Sequence, residues 1–145
     1  AGSFLGRIST FKKLLIGTWR RDEIAAVLHG ELADLFSYTQ KVCSGGRASW
    51  RPKVEVLFEV LEELIRDAAM HGSGASAHKV NTDTPDLTAA WGDALWPDGI
   101  DRCQRALTDA RLDLERMVSG RTALDALLCT IRQELGVPDK LATAS

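Results

Sequence analysis

The chain has 145 residues, 45% of them hydrophobic and 26% charged, so it holds enough apolar material for one domain with a real core. Its formal net charge is -2, without the basic excess that marks nucleic-acid-binding domains, and strong DNA binding is not expected. Its apolar runs fall far short of the roughly 20 residues that span a bilayer.

The helix signals come with punctuation, and period-two alternation never persists. A first helix is predicted from about Phe4 to Ile16, with Leu5, Ile8, Phe11 and Leu15 on one side and Gly17 at its end. Thr18 reads as the N-cap of a second, with Asp22 and Glu23 in the first turn, where carboxylates complement the helix dipole. That helix carries Ile24, Val27, Leu28, Leu32, Leu35 and Phe36 and fades near Cys43. Ser49 is expected to cap the third helix, with Pro52 near its start and a stripe of Val54, Leu57, Phe58, Leu61, Leu64, Ile65 and Ala68. Gly72 closes it, and residues 72–83 read as a polar loop.

Thr84-Pro85 starts a short fourth helix with Leu87, Ala90, Trp91 and Ala94 facing inward, and Trp96-Pro97-Asp98-Gly99 is a turn. The fifth helix has the most regular pattern: Ile100, Cys103, Leu107, Ala110, Leu114 and Met117, spaced 3, 4, 3, 4, 3. Ser119-Gly120 breaks it. The sixth carries Leu124, Leu127, Leu128, Ile131 and Leu135 before Gly136 and Pro138. The expected fold is all-α, a compact bundle of five to six helices.

Residues that carry chemistry elsewhere have quieter readings here. Neither GxGxxG nor GxxxxGK followed by Ser or Thr occurs, so no phosphate cradle and no cofactor site is expected. Cys43, Cys103 and Cys129 are widely spaced with no CxxC and read as reduced thiols, Cys103 as a small buried hydrophobe. His29, His71 and His78 read as solvated helix-end histidines rather than as metal ligands. Glu59, Glu62, Glu63, Asp109, Asp113 and Glu115 lie away from the apolar stripes and read as solvated faces, with Arg111 and Glu115 spaced to pair along one helix. No catalytic residue is assigned. Of the four tryptophans, Trp91 belongs to the core; Trp19, Trp50 and Trp96, at helix starts or turns, either cap a core edge or anchor an interface.

Three stretches carry a family resemblance. One is Val80-Asn81-Thr82-Asp83-Thr84-Pro85-Asp86-Leu87, followed by Trp96-Pro97. The second runs from Arg111-Leu112-Asp113-Leu114-Glu115-Arg116 through Ser119-Gly120-Arg121-Thr122-Ala123-Leu124-Asp125-Ala126-Leu127-Leu128. The third is Gly2-Ser3-Phe4-Leu5-Gly6-Arg7-Ile8. In this order they resemble the C-terminal domain of the delta-prime subunit of the bacterial DNA polymerase III clamp loader. Phe4 stands where proline is usual, and Thr122 where an apolar residue is common.

The resemblance implies a non-catalytic collar domain, residues 18–145, preceded in 1–17 by the tail of a lid domain. Its role would be assembly of the pentameric clamp loader in DNA replication, in the bacterial cytoplasm. The partners would be delta and gamma/tau-type subunits, met through the last two helices. Their mixed polar faces make Arg111, Glu115, Arg121, Asp125 and Arg132 the candidate subunit-interface residues. The competing reading is a stand-alone helical adaptor or regulatory domain that binds an unrelated protein.

Overall fold

A computed structural model describes residues 21–75 and 85–138. The expected first helix at 4–16, the Thr18 cap, Trp19, His78, most of the Asn81–Leu87 stretch and the boundary at residue 17 lie outside them. Among the described residues there are six helices and no strand: α1 (21–29), α2 (Leu32–Val42), α3 (Arg47–Gly72), α4 (Pro85–Leu95), α5 (Asp98–Glu115) and α6 (Gly120–Glu134). The all-α bundle is as expected. None of these helices is long and apolar enough to cross a membrane.

The α3 helix is the central strut, 26 residues and therefore about 39 Å long. Its buried stripe, Val54, Leu57, Phe58, Leu61, Leu64, Ile65 and Ala68, is the one expected. Its start is not. Gly46 caps the helix and Arg47 opens it, so Ser49 lies inside the first turn and Pro52 in the second. Around this strut α4 packs on one side, α5 and α6 form an antiparallel pair, and α2 lies along α6.

The segment expected to be one helix ending near Cys43 is broken. Glu31 takes an extended conformation (φ -82°, ψ 152°), which divides α1 from α2. The break frees carbonyls, and Arg132 of α6 donates to two of them, Leu28 O at 3.1 Å and Gly30 O at 2.5 Å, and to Pro138 O at 3.3 Å. At the first described residue of α1, Arg21 is buried and donates to Glu63 at 2.7 Å, with Asp67 at 3.7 Å.

On α4 the inward face is Thr88, Trp91, Gly92 and Leu95, while Ala90 and Ala94 are exposed, contrary to expectation. Gly92 explains the shift. A Cβ there would meet His71 Cδ2 at 2.6 Å and Ala68 O at 2.8 Å, so the two helices touch backbone to backbone at this point. Trp96, half-exposed at the α4/α5 turn, lies against Gly72, and the Trp96–Pro97 peptide is cis.

The α5 stripe is buried through Leu114, but Met117 is not part of it: the residue is 70% exposed, with φ 66°. The helix has already ended. Met117 N–H donates to Leu114 O and Val118 N–H to Asp113 O, the two bonds of a Schellman cap with Met117 in the left-handed position. Ser119 then caps α6, accepting from Thr122 N–H at 3.5 Å. Gly120 lies under the ring of Trp50, which is itself partly buried, and Arg47 sits 5.3 Å above the Trp50 ring while donating to Leu114 O. Trp50 and Trp96 thus cap core edges, and Trp91 is fully buried as expected.

Candidate interaction surface

A concave feature among the described residues runs between α3 and α5, which lie antiparallel. Two adjoining clefts of about 260 and 290 Å³ make it up. Phe58 and Leu114 line the first, among Arg51, Glu55, Glu59, Arg111 and Glu115. Ile65 and Leu107 line the second, among Glu62, Arg66, Gln104, Thr108 and Arg111. The pattern on α3 explains this. Arg51, Glu55, Glu59, Glu62 and Arg66 follow one another at steps of 4, 4, 3 and 4, a polar stripe beside the apolar one.

Arg111 stands between the clefts and belongs to both. Its Nη2 donates to Glu62 Oε2 at 2.7 Å across the groove. It therefore pairs with α3 rather than along α5 with Glu115. The Arg111 hydrogen bond holds the Glu62 carboxyl below the usual carboxylate range, against the opposing effect of burial. Arg51 pairs with Glu55 at 3.0 Å on the same rim. The result is a groove with a rim of both charge signs, floored by the edge of the core, since Phe58, Ile65, Leu107 and Leu114 are themselves buried.

The five residues singled out from the sequence do not form one face. Arg111 and Glu115 are in this groove. Arg121 and Asp125 lie on the side of α6 that faces α2, where they are 3.7 Å apart. Asp125 also accepts from Thr39 Oγ1 at 2.5 Å, which turns its carboxylate toward α2. Arg132 is only 6% exposed. Its guanidinium is committed to the carbonyls at the α1/α2 break, so it cannot serve as a rim charge on a partner surface.

The solvated-face reading of Glu59 and Glu62 does not anticipate the half of the groove that α3 contributes. The 4, 4, 3, 4 spacing was the available signal. What the sequence did not supply was the alignment of that stripe against Arg111 and Glu115.

Among the described residues Cys43, Cys103 and Cys129 are free thiols, Cys103 buried and the other two partly so. Burial pushes Cys103 up to about 12, with Glu134 adding to the effect. Burial first and then Asp125 push both Cys43 and Cys129 up. His29 is exposed at the end of α1, whereas His71 is packed against Gly92 with Nε2 at 3.2 Å from Asp93, so it is less solvated than expected. Among the described residues no group of three or more His, Cys, Asp or Glu is arranged to hold a metal ion. Comparison with protein-family models, with curated proteins and with solved structures returns no match.

Proposed function

We propose that the chain is a non-catalytic assembly domain that works by binding other proteins, and that it is the collar domain of a clamp-loader delta-prime subunit. The assembly reading rests on one observation above others. The groove between α3 and α5 sets partly charged walls around Phe58 and Leu114, and Arg111 and Glu115 lie on it. Arginine is enriched at protein interfaces and their rims are polar, which is the character of this groove's lining. The clamp-loader reading rests on the resemblance of the Asn81–Leu87 and Arg111–Leu128 stretches. It makes delta and gamma/tau-type subunits the partners, and pentamer assembly for DNA replication the role.

The test is direct mixing. The chain is incubated with purified delta and gamma/tau-type subunits and run on a sizing column with light scattering. Under this proposal it enters a complex of fixed stoichiometry. If it elutes alone at micromolar concentrations of every subunit, the clamp-loader reading fails. Capture of an unrelated protein in its place would favour an adaptor.

A further inference from the structure

The α3/α4 contact holds polar groups that the packing itself does not serve. Thr88 and Trp91 are three residues apart on α4 and therefore share a face, and both are fully buried. Neither Thr88 Oγ1 nor Trp91 Nε1 forms a hydrogen bond with any described residue. Native interiors pair nearly all such groups, either with protein or with ordered water.

The register of the two helices says what lies opposite. Gly72 meets Trp96, and Ala68 and His71 meet Gly92, so α3 and α4 run in the same direction. One turn back from Gly92 is Thr88, and one turn back from His71 is Asp67. Asp67 is fully buried, and Arg21 Nη1 approaches its carboxylate from α1 at 3.7 Å. A carboxylate has about four acceptor positions, so it can accept from a water in addition to its protein partners.

We propose that one internal water is bound at this junction of α1, α3 and α4. It accepts from the Trp91 indole N–H and from the Thr88 hydroxyl, and donates to the Asp67 carboxylate. Neither α4 donor bonds the Asp67 carboxylate directly, and a water has two acceptor positions for these two donors while its own hydrogens reach the carboxylate. Buried waters of this kind make about three hydrogen bonds and occur about once per 27 residues. The site extends the Arg21–Asp67 pair into a network that fixes α1 and α4 to the same point of the central helix.

The test is the Trp91 Nε1–H resonance in the intact chain. Nitrogen-resolved nuclear and rotating-frame Overhauser spectra are expected to show a cross-peak to water with the sign of a long-lived contact. Thr88→Val keeps the shape and loses the hydroxyl, and is expected to abolish that cross-peak or reverse its sign; Thr88→Ser is expected to keep it. If Thr88→Val does not fold, the wild-type and Thr88→Ser spectra decide, together with a crystal structure showing a solvent oxygen within hydrogen-bond distance of Trp91 Nε1 and Asp67. A Trp91 Nε1–H with no water contact, or one donating to a protein carbonyl, overturns the proposal. So does a Thr88→Val chain whose cross-peak is unchanged.

Discussion

Three helices of this chain end in the same Schellman arrangement, and one of them uses the wrong residue for it. After α3 the left-handed position is Gly74 (φ 82°), after α6 it is Gly136 (φ 75°), and after α5 it is Met117 (φ 66°). A left-handed conformation costs an L-residue with a side chain roughly 1–2 kcal/mol, and glycine avoids that cost. Met117 is 70% exposed, so its side chain returns little packing. Met117→Gly is therefore expected to stabilise the chain by about 1 kcal/mol, less a few tenths for glycine's greater freedom when unfolded. Urea denaturation followed by circular dichroism reads this directly, and a loss of stability would mean that Met117 makes a contact the cap geometry does not reveal.

Arg132 makes the opposite case. It is an arginine whose work is internal, holding Leu28 O and Gly30 O where α1 turns into α2. Replacing it with alanine leaves both carbonyls without their donor, at about 1–3 kcal/mol for each buried group. Arg132→Ala should lower the unfolding free energy by at least about 2 kcal/mol, and Arg121→Ala, on the exposed i,i+4 pair with Asp125, by less than about 1. Equal effects of the two substitutions in chemical denaturation would contradict the burial of Arg132.

Among the helices, the α3/α4 contact is set by a glycine. Gly92 lies inside a helix, where alanine would ordinarily gain about 1 kcal/mol. Here the new Cβ would stand 2.8 Å from the Ala68 carbonyl, which is backbone and cannot rotate away. Overpacking of this kind costs typically about 1–3 kcal/mol, so Gly92→Ala is expected to lower the thermal midpoint, and an unchanged or raised midpoint would show that the helices do not meet there.

Helix type and buried stripe were legible wherever apolar spacing was regular, as in α5 from Ile100 to Leu114 and α6 from Leu124 to Ile131. Three features were not. The break at Glu31 follows Gly30, a residue that weakens a helix and was the local signal for it, but the donor for the carbonyls it frees, Arg132, lies about a hundred residues away. The inward face of α4 rotated because Gly92 lets a backbone approach that side, whereas the sequence suggested a stripe through Ala90 and Ala94. Met117 continued the spacing of α5 but lay beyond its end. The candidate surface was half legible: Arg111 and Glu115 on α5 were marked, whereas their α3 counterparts needed the antiparallel register.

For the molecule as a whole, α3 carries both halves of the account. One side of it anchors α1 and α4 through Asp67, Ala68 and His71; another, with α5, makes the groove of mixed charge. A partner docked there would displace or reuse the Arg111–Glu62 bridge. Charges on an interface rim act mostly through the association rate and are screened by salt. The deciding measurement is the affinity and association rate of the Arg111→Glu/Glu115→Lys double variant for the proposed partners, delta and gamma/tau-type subunits, at low salt, with circular dichroism to establish that the variant is folded. The account expects a helical, cooperatively unfolding variant whose association is slower and weaker than that of the unsubstituted chain, with the difference shrinking as salt is raised. A folded double variant that assembles at the unsubstituted rate and affinity would contradict it, because the groove between α3 and α5 would then lie outside the assembly contact.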